Sequence, residues 1–295
     1  MENIRAILLL TFATACFAVQ DMFIKFVVAE VSAGQAILML GLTGSVFFAV
    51  MAKMQGASLM PRSREARPLY ARTLLEGFAS IFLVLGLALV PLAAFTSITQ
   101  AMPLVMTLGA ALFLGEKVGW RRWLAIALGF VGVLIIIRPG SAAFDPVMLL
   151  PLGVVIVMSA RDLVSRRLPK TLTSAVVAFQ GFGSLVFSGP ILMLASGDQL
   201  LTLSRSGIWS AVAMIVLGIV GYYALILATR VGDVASVAPF RYSRLVFSLI
   251  IAVVVFDESP DMPTLLGAAL IIGTGLYAYL RERRVLRQAA KARPT

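Results

Sequence analysis

The sequence predicts an all-α integral membrane protein with ten transmembrane helices, arranged as two inverted five-helix repeats. Three observations lead to this fold class: an excess of apolar residues, an unequal distribution of basic residues between loops, and an internal similarity at a fixed offset. Of the 295 residues, 60% are hydrophobic and 13% are charged, whereas a soluble domain is nearer half apolar and a quarter charged. A bilayer accommodates this composition because each spanning helix needs about 20 consecutive apolar residues.

Ten long apolar runs account for most of the chain, and short polar connections separate them. Their continuity favours helices over the alternating strands of a membrane barrel. The run that follows Met1 is too long for a signal-peptide core and has no A-x-A-like cleavage site, so we expect it to remain as the first helix. The predicted spans cover residues 4–28, 33–53, 69–90, 92–115, 121–138, 147–167, 172–195, 207–229, 234–256 and 262–281.

Lysine and arginine are distributed unequally between the two sets of alternate loops. With the N-terminus placed in the cytoplasm, 18 of the 25 basic residues fall on the cytoplasmic side, two (Arg138 and Arg205) fall outside, and five lie within spans. This bias predicts a bacterial inner-membrane protein with both termini cytoplasmic. It also accounts for the net charge of +11, so we expect no nucleic-acid partner. The basic tail, residues 283–295, is suited to contact anionic lipid headgroups.

An offset of 141 residues brings the two halves of the chain into register, although the second and seventh helices fit this offset poorly. Because five is an odd number, a second five-helix copy enters the membrane in the opposite orientation, as in many secondary transporters. The predicted units are a first repeat at 1–140, a second at 141–282 and the tail at 283–295. The matching positions are Gln20-Asp21 with Arg161-Asp162, Lys25 with Arg166, Gly77 with Gly218, and Gly132 with Gly273.

Several short motifs in both halves resemble those of a known family. The first half carries VPLAA at 90–94, AMPL at 101–104, LGEK at 114–117, RRW at 121–123 and GFVGVL at 129–134, and the second carries the more divergent APFRY at 238–242 and FDE at 256–258. These motifs are similar to the EamA-type domain of the drug/metabolite transporter superfamily. Within it the chain looks most like bacterial ten-helix exporters of amino acids, including the aromatic amino-acid and methyl viologen exporters. The resemblance implies a central cavity lined by helices 1, 3, 4, 6, 8 and 9, with helices 5 and 10 behind.

These observations favour a secondary transporter or facilitator that exports small metabolites by alternating access. The expected substrates are amino acids, including aromatic ones, with quaternary-cation drugs as a further class. An uptake carrier for a nucleotide-like metabolite of the same superfamily is the alternative, and a channel is a weaker one because no ring of pore charges is visible. An enzyme is disfavoured because the chain has no histidine and one cysteine, Cys16. We expect no cofactor or metal, a small-molecule substrate, a lipid bilayer as surroundings, and a monomer sufficient for function.

Substrate-binding candidates are polar or aromatic side chains within the spans. Arg241 leads them because it follows Pro239 in the ninth helix and suits a two-pronged hydrogen bond to a substrate carboxylate. Tyr222 and Tyr223 offer rings to an aromatic or cationic substrate, although packing between helices is a common role for such rings. The candidates are Arg241, Gln100, Tyr242, Arg161, Gln20, Phe78, Phe82, Tyr222 and Tyr223.

Ionisable side chains inside a membrane are costly and usually face a cavity or a partner. Asp21 with Lys25, and Arg72 with Glu76, are four residues apart, so local ion pairs on one helix face are an alternative to a functional role. Transport without protons fits the sequence as well as proton coupling does. The candidates for gating or proton coupling are Asp21, Glu76, Asp162 and Arg72.

Two further expectations concern local geometry. Pro103 and Pro239 are expected to kink the fourth and ninth helices, because proline frees a backbone carbonyl. Arg161 and Asp162 are adjacent and therefore point in different directions on a helix. We expect these two side chains to serve different contacts.

Overall fold

Helices form the regular structure of the computed structural model, which describes residues 2–61, 67–115, 119–169, 171–231 and 238–291. A short 3₁₀ segment, Pro146–Leu149, precedes α6, and another, Ala238–Tyr242, precedes α9. The α-helices are α1 (Glu2–Val28), α2 (Ala33–Met54), α3 (Arg67–Leu89), α4a (Leu92–Thr99), α4b (Met102–Phe113), α5 (Trp120–Ile137), α6 (Leu150–Ser165), α7 (Ser174–Ser196), α8 (Arg205–Val231), α9 (Ser243–Phe256) and α10 (Met262–Lys291).

Ten of the described segments are long and apolar enough to cross a membrane, which confirms the ten predicted spans. Local signals set several of their ends: Ser32 caps α2 through the backbone N–H of Gln35, and Thr173 caps α7 through that of Val176. Gly197, with φ of +70°, ends α7 in the left-handed conformation that favours glycine. Residues 116 and 117 of the LGEK motif, the start of the predicted ninth span and the last four tail residues lie outside the described residues.

The packing of the helices follows an approximate two-fold symmetry. It exchanges helices 1 to 5 with helices 6 to 10, in that order. Helices α2 and α7 pack together, as do α5 and α10, and α4a and α9. The contact of α1 with α8 corresponds to the contact of α6 with α3. The contact of α1 with α9 corresponds to the contact of α6 with α4b. The fold class of two inverted five-helix repeats is therefore confirmed, while the residue limits 1–140 and 141–282 stay a prediction.

Glycine residues bring α2 and α7 into backbone contact. A Cβ atom on Gly189 would lie 2.6 Å from the carbonyl oxygen of Gly34 and 2.8 Å from the nitrogen of Leu38. Small residues are favoured at such interfaces because helices in lipid associate mainly through close packing. The offset of 141 residues places Phe48 opposite Gly189, so the two halves do not share this glycine pattern. That difference explains why α2 and α7 fit the offset poorly.

The largest buried apolar cluster lies toward one side of the membrane. We call the side with both chain termini the tail side and the opposite side the distal side. The cluster joins the distal ends of α1, α3 and α5 to the first turns of α2 and α4a, through side chains such as Val27, Leu87, Ile136, Ile37 and Phe95. Toward the tail side the buried clusters are small, as in the contact of Ala6 and Leu10 with Ala228. The helices are therefore packed more tightly at their distal ends.

Candidate functional site

Helix 4 is interrupted within its span, and the described part of helix 9 begins with a 3₁₀ segment. The break in helix 4 falls at Gln100 and Ala101, between α4a and α4b, and Pro103 is the second residue of α4b. The 3₁₀ segment Ala238–Tyr242 precedes α9. The Gln100 side chain donates a hydrogen bond to the carbonyl oxygen of Tyr242 at 3.4 Å. The break in helix 4 therefore meets the 3₁₀ segment of helix 9, and discontinuous helices form substrate sites near the midplane of transporters with inverted repeats.

The gap between the helix pairs α1–α8 and α3–α6 is bridged on the distal side. Helix α1 packs against α8 and helix α3 against α6, and α1 also contacts α3 near their distal ends. The contact of α6 with α8 near their tail-side ends is the symmetry-related one. Within the described residues, which stop at 231 and resume at 238, α6 and α8 make no packing comparable to that of α1 with α3.

Four charged side chains from α3 and α6 form one network beside this gap. Glu76 accepts from Arg161 at 2.8 Å and from Arg72 at 3.1 Å, and Arg161 lies 2.7 Å from Asp162. The Arg72 Nε atom also donates to the Ser165 hydroxyl at 3.1 Å. The local pair of Arg72 and Glu76 is present, as one interpretation of the sequence held. The expectation that Arg161 and Asp162 serve different contacts is wrong, because the long arginine side chain folds back onto its neighbour's carboxylate.

Asp21 pairs with Arg244 of α9 across the other side of the gap, at 2.6 Å between carboxylate and guanidinium. The Asp21 side chain is 3% exposed and that of Arg244 is 31% exposed. Arg244 also lies over the ring of Phe17, 5.7 Å from its centroid. The interpretation of Asp21 and Lys25 as a local ion pair is wrong. The Lys25 Nζ atom instead donates to two carbonyl oxygens at the end of α3, which the helix itself leaves without partners.

The remaining polar candidates lie apart from one another. Arg241 is exposed and makes no ion pair or hydrogen bond with other described residues. The Tyr242 side chain is buried toward α10, with its hydroxyl against Gly275. The Gln20 amide packs on Gly218 of α8. The structure thus directs Tyr242 away from the gap and places Gln20 at the contact between α1 and α8.

The aromatic candidates also have different surroundings. Phe78 is 59% exposed on an apolar stripe of α3 with Leu74, a surface suited to lipid. Phe82 packs on Gly153 of α6, and Tyr223 is exposed. Tyr222 packs against Phe48 and Phe182. Because Gly181, next to Phe182, packs on Arg72 and Glu76, this aromatic cluster adjoins the charged network.

Two charged side chains tie the distal ends of the helices together through backbone atoms. Lys25 donates to the carbonyl oxygens of Leu87 and Val90, both at 3.0 Å. Glu258 accepts from the N–H groups of Leu92 at 2.6 Å and Ala93 at 2.9 Å. A carboxylate at a helix N-terminus is favourable because the N–H groups there have no partner within the helix. We call the contacts of Lys25 and Glu258 the distal latch.

A cavity of about 430 Å³ lies on the distal side next to Glu258. Its rim includes an ion pair between Arg138 and Asp261. The hydrogen bond from Arg138 holds the pKa of Asp261 at about 2, below its ordinary value. The Asp261 carboxylate is therefore ionised at neutral pH and strengthens the connection between the ends of α5 and α10.

Sequence reasoning did not select Arg244 or Glu258, although each gives a signal. Arg244 is an arginine inside a predicted span, and such residues normally have a buried partner. Glu258 follows the apolar run of helix 9 and precedes Pro260, which marks a loop at a membrane surface. The sequence does not reveal that this loop reaches the first turn of α4a, because the contact joins residues 166 positions apart.

Ten membrane helices in two inverted repeats, with the break in helix 4 meeting the start of helix 9, form the architecture of many secondary transporters. The model of the EamA-like transporter family matches residues 4–138 and 146–279. The chain therefore belongs to the EamA-like transporter family, and the resemblance found in its motifs is confirmed.

Known relatives include transporters of two named metabolites. The chain is 29% identical to the S-adenosylmethionine uptake transporter of Rickettsia bellii, over 73% of each chain. It is 33% identical to the riboflavin transporter of Rhizobium johnstonii, over 70% of this chain and 68% of the relative. A crystal structure at 19% identity has the same fold, with a TM-score of 0.63 over 96% of this chain and 97% of the other.

Proposed function

We propose that the protein is an uptake carrier for a nucleotide-like metabolite that bears a heterocyclic ring. The relatives support a small-metabolite carrier, and the two named substrates, S-adenosylmethionine and riboflavin, each join a heterocycle to a sugar-derived chain. The expected export of amino acids and quaternary-cation drugs has no support among these relatives. The alternative derived from the sequence, uptake of a nucleotide-like metabolite, agrees with them better.

The match to carriers of named metabolites is the observation that carries this proposal. The family model covers both halves, and the relatives named for S-adenosylmethionine uptake and for riboflavin transport match 73% and 70% of this chain. In the inverted repeat, the contact of α1 with α3 is equivalent to a contact of α6 with α8. Exchanging these two contacts converts a gap open to one side into a gap open to the other, which is alternating access.

We further propose that the tail side faces the cytoplasm of a bacterial cell, as the loop charges predict. In a Cys16→Ala background, cysteine at residue 145 is expected to react with an impermeant maleimide added to intact cells. Cysteine at residue 118, which lies outside the described residues, is expected to react only after the membrane is permeabilised. The reverse labelling pattern would show that the protein is inserted the other way round.

Uptake by purified protein in proteoliposomes tests the function directly. We expect labelled S-adenosylmethionine or riboflavin to enter the vesicles, and unlabelled substrate inside to accelerate this entry, because a carrier returns faster when loaded. Measurements with and without a pH gradient then determine whether protons are coupled. Flux without such acceleration would support a channel, and transport of amino acids with neither metabolite moving would restore the export hypothesis.

A further inference from the structure

We propose that Arg161 binds the α-carboxylate and Asp162 the α-ammonium group of an amino-acid substrate. The transported metabolite is then a zwitterionic conjugate of an amino acid with a ring system, rather than a neutral flavin. This inference rests on the proposed uptake function and specifies its substrate class. Its basis is that some hydrogen-bonding groups of the charged network have no partner.

Arg161 and Asp162 both retain free hydrogen-bonding positions. A guanidinium has five N–H groups, and Arg161 uses three of them, on Asp162 through Nε and Nη2 and on Glu76 through Nη1. Both contacts to Asp162 end on the same oxygen, Oδ1, which leaves Oδ2 without a partner among the described residues. Two N–H donors of Arg161 and one carboxylate oxygen of Asp162 therefore remain unused on two adjacent residues. A substrate carboxylate and ammonium group complement this set.

Arg72 shows what a purely structural member of the network looks like. Its Nε donates to Ser165, its Nη1 to the carbonyl of Val177, and its Nη2 contacts Glu76. The Arg72 side chain is 8% exposed, compared with 17% for Arg161 and 24% for Asp162. Arg72 also uses three of its five N–H groups. The greater exposure of Arg161 and Asp162 is therefore what marks them as the accessible part of the network.

The charge balance of the network selects a zwitterion. Arg72, Arg161, Glu76 and Asp162 carry no net charge together, so an ion of one sign would bring an unbalanced charge into a site of low dielectric constant. A zwitterion adds both signs and keeps the balance. A neutral ring compound would cover these groups without pairing them, and sites built for hydrogen bonds strongly disfavour ligands that lack the matching groups.

Tyr222 supplies a surface for the ring of such a substrate. Its own ring is held by Phe48 of α2 and Phe182 of α7, with centroid distances of 5.4 and 6.1 Å. The Tyr222 side chain is only partly buried. Gly181, next to Phe182, packs on Arg72 and Glu76, so this aromatic cluster adjoins the charged network. The ring of a substrate held at Arg161 and Asp162 would then pack against the face or edge of Tyr222.

Binding to purified protein in detergent separates these substrate classes. The probes are S-adenosylmethionine, S-adenosylhomocysteine, 5′-methylthioadenosine and riboflavin, each measured by calorimetry and by thermal shift. S-adenosylhomocysteine carries the zwitterion, and methylthioadenosine keeps the nucleoside and the thioether sulfur without it. S-adenosylmethionine carries the zwitterion together with a positively charged sulfonium. We expect S-adenosylhomocysteine to bind at least about 100-fold more tightly than methylthioadenosine, because its amino-acid group pairs the free positions.

Substitution of Asp162 tests the assignment to this side chain. Asp162→Asn is expected to weaken binding of S-adenosylhomocysteine about 10-fold or more and to leave methylthioadenosine unchanged, since only the ammonium partner is altered. Asp198→Asn, at an exposed carboxylate in the loop after α7, is the matched control and should change neither affinity.

Two outcomes would overturn the zwitterion site in distinguishable ways. Equal affinity for methylthioadenosine and S-adenosylhomocysteine, or tight binding of riboflavin alone, would refute the site and leave an uptake carrier standing. Absence of binding by all four compounds would refute the site together with the proposed function. The wild-type panel decides between these cases even where Asp162→Asn fails to fold.

Discussion

Replacing Gly189 by leucine is expected to separate α2 from α7 and to remove most of the folded protein. A side chain at this position would meet backbone atoms of Gly34 and Leu38 within 3.1 Å, and backbone cannot move aside as the end of a flexible side chain can. Overpacking of a tight interface costs about 1–3 kcal/mol or more, and contact with backbone places this substitution at the upper end. The thermal midpoint in detergent and the yield of monodisperse protein measure the effect.

Gly183→Leu is the matched control for this substitution. Gly183 lies on the same helix, and no atom lies within 4 Å of the position of an added Cβ. We expect near-normal yield and melting temperature, because the new side chain extends into open space. Equal damage from both variants would mean that leucine in α7 itself is harmful and that the interface with α2 is not the cause.

Replacing Arg244 by methionine is expected to destabilise the protein because it leaves the Asp21 carboxylate buried without a partner. Removing one member of a buried ion pair costs about 3–5 kcal/mol, and some of this is discounted because Arg244 is partly exposed. The double variant Asp21→Asn with Arg244→Met should recover much of the loss, since neither charge remains. Thermal unfolding in detergent of the wild type, the two single variants and the double variant completes the cycle.

Arg241→Met provides the control at a neighbouring arginine. Arg241 is exposed and makes no ion pair with Asp21 or any other described carboxylate, so its loss should leave the melting temperature nearly unchanged. If Arg241→Met were as destabilising as Arg244→Met, the Asp21 pair would not be the cause. A stable Arg241→Met variant that no longer transports would support the substrate-binding role predicted for Arg241 from the sequence.

The spans and the inverted repeats were predictable because they depend on local properties of the chain. Apolar length determines a span, and an odd number of helices per repeat determines the inversion. Both remain visible even where the two halves have diverged, as they have at Gly189 and Phe48.

The partners of the buried charges were not predictable in the same way. Asp21 has a basic residue four positions later in the sequence, yet it pairs with Arg244, 223 positions away. Lys25 instead donates hydrogen bonds to backbone carbonyl oxygens at the end of α3. A pattern of side chains in the sequence does not reveal such a contact. The choice between Arg241 and Arg244 depends on where 3₁₀ geometry changes to α-helix, because this change alters the direction of each side chain. Such details arise from tertiary packing.

The distal latch has a consequence for how this protein tolerates mutation. Lys25 and Glu258 bind main-chain atoms of their partners, at Leu87, Val90, Leu92 and Ala93. A backbone carbonyl or N–H is supplied by almost any residue, so substitutions at those four positions leave the contacts available as long as the helix ends persist. Genetic drift in the partner segments therefore leaves these four hydrogen bonds available, and their loss requires a change at Lys25 or Glu258.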